Sequence, residues 1–298
     1  MKNHLLYALF LVFRGMILML PHQALIRLLK AIGSFLYSLN LYHRKIIRKN
    51  LDMCYEERLS PEEKEAIAKE CYQNFLIYTA NFIEISNRDL DHLQSIVRFE
   101  NKHYLDDALK NNEKIILVSA HYGAWEVILQ AVGAFDAPIT TIAEDVRNSA
   151  LLNETMLKYR SKNNIEMFHK EGALLGVVKA MKRGRLLAYL VDQNYKKGVP
   201  ATFFGKKVMH IPSASQLSRK FDALLLPVFC TTDDFTHYTI RFQEPFKCEK
   251  SDDEEQDIID CTQKQSDLIQ KAIEERPADY FWFHKKFKSA HKGIYKNL

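Results

Sequence analysis

A histidine and a glutamate separated by four residues are the first candidates for chemistry in this sequence. His121 and Glu126 follow the apolar run Ile115–Val118, which is typical of a buried strand. Five residues of continuous helix rotate by about 500°, which leaves the two side chains about 140° apart and out of contact. If Gly123 bends the chain before the helix, Glu126 can fold back onto the imidazole and raise its basicity. We therefore expect a catalytic general base for a hydroxyl or an amine. The alternative is a His and a Glu that only share a helix start.

A second polar group follows another apolar run, Leu186–Val191. It contains Asp192, Gln193, Lys196 and Lys197. Functional groups of α/β sheets collect at the carboxyl ends of the strands, so this position is typical of ligand contacts. We expect these four residues to bind substrate. The alternative is an Asx-type turn with solvated lysines.

Arg147 follows a third apolar run, Ile139–Ala143. A guanidinium at this position can bind a phosphate through two parallel hydrogen bonds. We therefore expect Arg147 to bind substrate as well. The alternative is a surface ion pair with Glu144 or Asp145.

The elements that must position these residues alternate along the chain. Short apolar runs predict buried strands at Ile115–Ser119, Ile139–Ala143, Leu186–Val191, Leu224–Cys230 and Tyr238–Phe242. Helical patterns lie between them at Ala124–Gly133, Ser149–Asn163, Ala173–Arg183 and Ser213–Phe221. Upstream, Ser60-Pro61-Glu62-Glu63 has the residues of a capped helix start, and this helix should run to about Ile85. The sequence therefore predicts an α/β fold with a central, mostly parallel sheet flanked by helices.

The charge of the 298-residue chain is distributed unevenly. The net charge of +5 comes from 42 basic and 37 acidic residues. Residues 1–50 hold eight of the basic residues and no Asp or Glu, so residues 51–298 carry 34 basic and 37 acidic residues, a net charge of −3. A nucleic-acid binder would carry its basic residues on the body that grips phosphate. The distribution argues against that class and indicates an anionic membrane surface instead.

The N-terminal segment is strongly apolar. From Leu5 to Leu20, every residue except Arg14 and Gly15 is apolar or aromatic, which is short of the roughly 20 residues of a full helical span. Apolar residues at helical spacing follow, and then a basic cluster at residues 44–49. We expect residues 1–50 to be a membrane anchor with basic amphipathic helices, and residues 51–298 to be a catalytic domain on the cytoplasmic face. The alternatives are a signal peptide cleaved near Ala31 and a helix packed on the body.

The segment Tyr280–Lys288 interleaves aromatic and basic side chains. Three interpretations are open: packing against the core, an aromatic belt at a membrane interface, and stacking on single-stranded nucleic acid. The near-neutral charge of residues 51–298 makes the last of these the weakest.

Several familiar motifs are absent from the sequence. The dinucleotide-binding and P-loop glycine patterns, the HExxH zinc motif and the GxSxG serine-hydrolase elbow do not occur. The five cysteines form no CxxC pair, which favours reduced thiols in a cytoplasmic body over a zinc ribbon or a disulfide framework. We therefore expect neither a metal nor a cofactor.

Taken together, these segments resemble the late acyltransferases of lipid A biosynthesis, within the wider lysophospholipid acyltransferase group. The likeness spans the apolar, basic N-terminus and the run His121–Glu126, which resembles the family's His-x4-Asp/Glu motif. It continues through Asp192-Gln193 with Phe203-Phe204-Gly205 and ends in the aromatic, basic run Phe281–Lys288. The chain departs from the family at Ala124 and Asn194, and its Tyr-Arg-Pro block is represented only by residues 146–148.

The resemblance implies acyl transfer from an acyl-carrier-protein thioester to a hydroxyl of a Kdo-bearing lipid A precursor at the bacterial inner membrane. His121 would take the hydroxyl proton, and Glu126 would hold the imidazole. Backbone N–H groups near Gly123, or Arg147, would stabilise the oxyanion. The alternatives are acylation of another glycolipid or a lysophospholipid, perhaps from acyl-CoA, and a non-catalytic protein that binds membrane lipid.

Overall fold

The computed structural model describes residues 2–143, 149–169 and 173–296. Its helices are α1 Lys2–Met19, α2 His22–Leu39, α3 Leu41–Tyr55, α4 Pro61–Asn87, α5 Leu90–Ile96, α6 His103–Lys110, α7 Trp125–Phe135, α8 Ala150–Arg160, α9 Ala173–Lys182, α10 Ser213–Phe221 and α11 Glu254–Glu275. Its strands are β1 Val97–Glu100, β2 Ile115–Ser119, β3 Ile139–Ala143, β4 Ile165–His169, β5 Leu186–Leu190, β6 Val199–Phe203, β7 Lys206–His210, β8 Leu224–Thr231 and β9 Tyr238–Phe242. A short 3₁₀ helix at Pro277–Asp279 opens the C-terminal segment.

Within these residues, seven strands form one sheet in the order β1-β9-β8-β2-β5-β3-β4. The five strands from β8 to β4 are parallel to one another. β9 pairs antiparallel with β8, so β9 and its parallel neighbour β1 run in the opposite direction. β6 and β7 form a separate antiparallel hairpin. The predicted α/β fold with a mostly parallel central sheet is confirmed.

The centre of the sheet is strand β2, which lies between β5 and β8 and is buried along its whole length. Ile116 and Val118 belong to one hydrophobic cluster, which includes the C-terminal segment. Ile115 and Leu117 belong to another, which includes α7. Burial on both faces explains why this strand is a continuous apolar run rather than an alternating one. The residues that follow β2 therefore start from a rigid base.

Most of the expected elements have the expected bounds. β2, β3 and β9 match their predicted ranges, and β5 and β8 each differ by one residue at the carboxyl end. The capped helix start is confirmed, because the Ser60 hydroxyl accepts from the Glu63 N–H and the Glu63 carboxylate accepts from the Ser60 N–H. The sequence does not predict β1 and β4, because β1 has only four residues and β4 mixes polar with apolar side chains.

The N-terminal helix α1 is docked on the body through a polar contact at its centre. The Arg14 guanidinium donates to Asn87 Oδ1 on α4, at 2.6 and 3.1 Å, and to the Tyr159 hydroxyl on α8, at 3.0 Å. Phe10, Phe13 and their neighbours pack beside it in a small hydrophobic cluster with α4. The guanidinium therefore points into the protein, which removes the cost of placing it in hydrocarbon.

The opposite side of the N-terminal helices exposes large apolar side chains. They are Leu5, Leu9, Val12 and Met19 on α1 and Leu28, Phe35, Leu36 and Leu39 on α2. In the part of the chain that the structure describes, no single helix is long and apolar enough to cross a membrane, and α2 with α3 meets that criterion only as a pair bent by 91°. α3 continues past residue 50 and contributes Ile46, Ile47 and Leu51 to the central core. The domain boundary at residue 50 stays a prediction.

Replacing Arg14 by Met tests the docking of α1. The change removes a guanidinium that donates to two side chains, so we expect a loss of about 1–3 kcal/mol in the free energy of unfolding. The measurement is thermal or denaturant unfolding of the purified protein. Arg27→Met on the exposed face of α2 is the matched control and should cost no more than about 0.5 kcal/mol. Equal losses in the two variants would contradict the docking role of Arg14.

Candidate active site

The side chains of His121 and Asp192 meet at the carboxyl ends of two adjacent strands. His121 follows β2 and Asp192 follows β5, and the Val191 N–H donates to the Ser119 carbonyl at 3.0 Å, which extends the pairing of these strands to the site. His121 Nδ1 lies 2.8 Å from Asp192 Oδ1, and the His121 backbone N–H donates to the same oxygen at 3.1 Å. Because the carboxylate only accepts, Nδ1 carries the proton and Nε2 keeps its lone pair. The arrangement makes His121 Nε2 a candidate base.

The prediction that Glu126 contacts the His121 imidazole is wrong. Glu126, in the first turn of α7, binds Arg160 at the end of α8, with its Oε1 2.5 Å from Nη2 and 2.9 Å from Nε. α7 begins at Trp125, so the bend at Gly123 directs the chain away from His121 instead of returning Glu126 to it. The carboxylate that holds the imidazole is Asp192, for which the sequence predicts a substrate contact.

The backbone between β2 and α7 is fixed by a second set of contacts. Gly123 has a φ of +57°, and its N–H donates to the Asp279 carbonyl at 2.9 Å. The Ala124 N–H donates to the Cys230 carbonyl at 3.0 Å, and the Tyr122 N–H donates to the Ala120 carbonyl at 2.7 Å. The N–H groups of residues 121–124 are thus all bound within the protein. None of these four groups is therefore free to stabilise an oxyanion, a role expected of backbone groups near Gly123.

The Asp192 carboxylate is completely buried, whereas the His121 side chain is 20% exposed. Burial raises the pKa of Asp192, but the contact with His121, together with the charge of Lys286, outweighs burial and holds that pKa below its usual range. Asp192 is therefore an anion. A buried anion beside Nδ1 stabilises the imidazolium that forms when Nε2 takes up a proton.

A layer of buried polar side chains lies under Asp192. The Lys286 ammonium donates to the Asp192 main-chain carbonyl and lies 3.0 Å from His210 Nε2. His210 Nδ1 lies 3.1 Å from the Val191 carbonyl, so Nδ1 carries the proton of this ring and Nε2 accepts from Lys286. Burial, followed by the charge of Lys286, lowers the pKa of His210 well below its usual value, so the ring is neutral.

The open side of His121 is lined by aromatic rings. Trp125 and Phe281 have ring centroids 5.4 and 6.0 Å from the imidazole. From Phe281 the ring contacts continue through Phe283, which lies 5.0 Å away, to Phe75 on α4. This run of half-buried rings leads from the candidate base toward the N-terminal helices, and it is suited to an apolar ligand.

Of the other expected site residues, the structure places Gln193 beside His121. Gln193 Nε2 is 3.5 Å from His121 Nε2, so its amide lies at the candidate base. Lys196 and Lys197 are exposed in the loop between β5 and β6, and the structure shows no contact between them and the base. Arg147 lies outside the described residues.

The C-terminal segment packs against the core. Tyr280, Trp282 and Phe287 are almost fully buried, and the Phe281 N–H donates to the His121 carbonyl at 2.8 Å. Its main chain therefore also fixes the loop that carries His121. The first of the three interpretations of this segment is confirmed.

Sequence reasoning missed Arg160, His210 and Lys286 as parts of the site. Arg160 and His210 sit at the ends of elements that no sequence motif joins to His121. Lys286 lies in a basic run whose other members are not deeply buried, and nothing in the run marks the one lysine that turns inward. The available signal was the aromatic pattern around it, which is typical of a packed segment.

The fold and site together define a class of protein: an α/β protein with a His–Asp pair at the carboxyl ends of adjacent parallel strands, open toward an apolar surface. Comparison with known families agrees with the sequence motifs. The family model described as bacterial lipid A biosynthesis acyltransferase matches residues 2–289. The chain therefore belongs to the family of bacterial lipid A biosynthesis acyltransferases, and the resemblance found in its motifs is confirmed.

The chain also resembles individual proteins. It is 25% identical over 281 residues to the lipid A biosynthesis palmitoleoyltransferase of Escherichia coli, covering 92% of this chain and 88% of that protein. It is 22% identical over 289 residues to the lauroyltransferase of the same organism, covering 94% and 90%. The crystal structure of the 1-acyl-sn-glycerophosphate acyltransferase PlsC from Thermotoga maritima matches with a TM-score of 0.39 and 15% identity, covering 84% of this chain and 97% of that one.

Replacing Gly123 by Ala tests the turn that separates His121 from α7. A Cβ there would lie 2.0 Å from the Cys230 carbonyl oxygen, in addition to the cost of the positive φ. Gly184→Ala is the matched control, because Gly184 has a φ of +76° but nothing within 4 Å of an added Cβ. We expect Gly184→Ala to cost about 1–2 kcal/mol and Gly123→Ala about 1–3 kcal/mol more. Denaturant unfolding measures both, and equal costs would show that the close approach is unimportant.

Proposed function

We propose that this chain transfers a fatty acyl group from an acyl-carrier-protein thioester to a hydroxyl of a Kdo-bearing lipid A precursor. The observation that carries the proposal is the His121–Asp192 pair, in which Nδ1 contacts a fully buried carboxylate and the His121 side chain is partly exposed. Family membership gives the reaction class, acyl transfer in lipid A biosynthesis.

The chemistry uses the two nitrogens of His121 in different ways. Nε2 takes the proton of the acceptor hydroxyl while the hydroxyl oxygen attacks the thioester carbonyl carbon. The tetrahedral intermediate then collapses, the carbon–sulfur bond breaks, and the proton passes from Nε2 to the leaving sulfur. Asp192 stabilises the imidazolium between these steps through the 2.8 Å contact with Nδ1. No metal enters the mechanism.

The remaining site residues take supporting roles in this proposal. The Gln193 amide lies near Nε2 and can donate to the oxygen that becomes negative. The exposed ammonium groups of Lys196 and Lys197, together with Arg147, bind phosphates of the acceptor. Glu126 acts as a positioning residue, because it holds Arg160 and so ties the start of α7 to the end of α8.

The N-terminal helices support placement of the enzyme at the cytoplasmic face of the bacterial inner membrane. α1 and α2 expose large apolar residues, and α2 and α3 expose cations at Arg27, Lys30, Lys45, Arg48 and Lys49. Apolar side chains that enter the interface and cations that contact anionic headgroups bind a membrane together. The same cations can receive an acidic carrier protein. An amphiphilic acceptor would then reach the aromatic surface beside His121 from the bilayer.

Replacing His121 by Ala tests the proposed mechanism. We expect the rate of transfer from a labelled acyl carrier protein to fall by at least about 100-fold, because general-base assistance is lost. His103→Ala on the exposed start of α6 is the matched control and should transfer at the unchanged rate. The assay follows the label into the lipid A precursor, and mass spectrometry of the product gives the acyl chain and the acylated position.

Four results would contradict parts of the proposal. Unchanged transfer by His121→Ala would exclude the general-base mechanism. Transfer from acyl-CoA but not from the carrier protein would overturn the proposed donor, and transfer only to a lysophospholipid or another glycolipid would overturn the proposed acceptor. Absence of transfer by the unaltered protein, with lipid binding retained, would indicate a non-catalytic lipid-binding protein.

Cell fractionation of His121→Ala and His103→Ala tests the membrane placement. Both variants should be found in the membrane fraction, because neither substitution alters the N-terminal helices.

A further inference from the structure

Lys286 is a charged side chain in a place where charged side chains are rare. It is 1% exposed, behind the His121–Asp192 pair, in the C-terminal segment that follows the 3₁₀ helix. A lysine is almost never buried to this degree unless it is paired. A leucine or methionine of similar size would fill the same space without a buried charge, so the position indicates a role that needs the ammonium group.

The contacts of the Lys286 amine fit the ammonium form. It donates to the Asp192 main-chain carbonyl and, at 3.0 Å, to His210 Nε2, which is free to accept because His210 Nδ1 carries the proton. It also lies 4.5 Å from the centre of the Phe203 ring, within range of a cation–π interaction. Each contact is an acceptor or a ring face, so none of them suits the lone pair of a neutral amine.

The titratable side chains around Lys286 lie on several elements. Asp192 follows β5, His210 ends β7, Cys54 comes from α3, and His284 belongs to the same segment as Lys286. Burial lowers the pKa of His284 to about 4 and raises the pKa of Cys54 above its usual range, so both are neutral near pH 7. Among these groups, Asp192 is the anion and Lys286 is the cation.

Lys286 retains its proton at neutral pH. Burial lowers its pKa to about 8, while the charge of Asp192 acts in the opposite direction. The buried carboxylate is therefore balanced whether or not His121 is charged. Without the ammonium, the field of Asp192 would act on the imidazole alone and would favour its protonated form.

We propose that Lys286 is a positioning residue for the proposed acyl transfer, on which this inference rests: its buried ammonium offsets the field that the Asp192 carboxylate exerts on the His121 imidazole. The same ammonium holds the main chain of Asp192 in place. Lys286 does not touch the reacting atoms and acts only through Asp192 and His121.

The test is the pH dependence of kcat/KM for acyl transfer by the full-length enzyme. Lys286→Gln removes the charge but keeps a hydrogen-bond donor, and Lys286→Met removes both. In each variant we expect the acid limb of the profile to move to higher pH by about one unit, because His121 binds its proton more tightly. Lys286→Arg keeps the charge and should keep the acid limb of the unaltered enzyme.

Phe203→Leu is the matched control, since it loosens the packing around the same ammonium without altering any charge. It should lower the Tm and leave the acid limb in place. An acid limb that stays in place in folded Lys286→Gln or Lys286→Met would overturn the proposal, because the ammonium would then be only structural.

Stability provides a second measurement, which is independent of activity. Lys286 contacts the main-chain carbonyl of Asp192 rather than its carboxylate, so the two are opposite buried charges and not a direct ion pair. Removing one of two opposite buried charges leaves the other uncompensated, whereas removing both costs less. If Lys286→Met lowers the Tm or prevents folding, the double variant Asp192→Asn/Lys286→Met should recover most of the loss. If the losses in Tm of the single variants simply add in the double variant, the proposal that Lys286 balances the charge of Asp192 is overturned. The stability results do not depend on the outcome for His121→Ala. Failure of the charge-balance inference can therefore be distinguished from failure of the proposed transfer mechanism.

Discussion

The site depends on one constraint: a carboxylate with no exposed surface must remain ionised beside a half-buried histidine. Asp192 meets it through His121 in front and Lys286 behind, and the central strands β2 and β5 supply the rigid frame that holds all three. The C-terminal segment is needed because it both carries Lys286 and binds the main chain of His121. The charge of Lys286, the pairing of β2 with β5 and the docking of the C-terminal segment thus all support the hydrogen bond between His121 and Asp192.

Much of the fold and part of the site follow from the sequence. The apolar strands are visible because both of their faces are buried, and His121 and Asp192 are each marked by the strand that they follow. Their contact is hidden, because β3 and β4 and their helices lie between β2 and β5 along the chain, although β2 and β5 are neighbours in the sheet. Spacing along the chain favours Glu126 instead, and only the direction of α7 shows that its partner is Arg160.

The N-terminal helices have features of both arrangements that the sequence presents as alternatives. These alternatives are a membrane anchor and a helix packed on the body, yet α1 has one side docked through Arg14 and another side with exposed apolar residues. Docking also removes the difficulty of a guanidinium in the middle of an apolar run, because its partners are protein side chains rather than lipid. The membrane-facing side in this proposal is therefore a surface of the folded enzyme and not a separate segment.

The last turn of α8 has a mechanical consequence. Tyr159 accepts a hydrogen bond from Arg14 of α1, and the next residue, Arg160, holds Glu126 at the start of α7. One turn of α8 therefore links α1 to the start of α7, which follows the loop that carries His121. A protein shortened at its N-terminus would lose the apolar surface and also the contacts that connect α1 to the candidate active site. Low activity in such a protein would therefore not measure the contribution of the membrane.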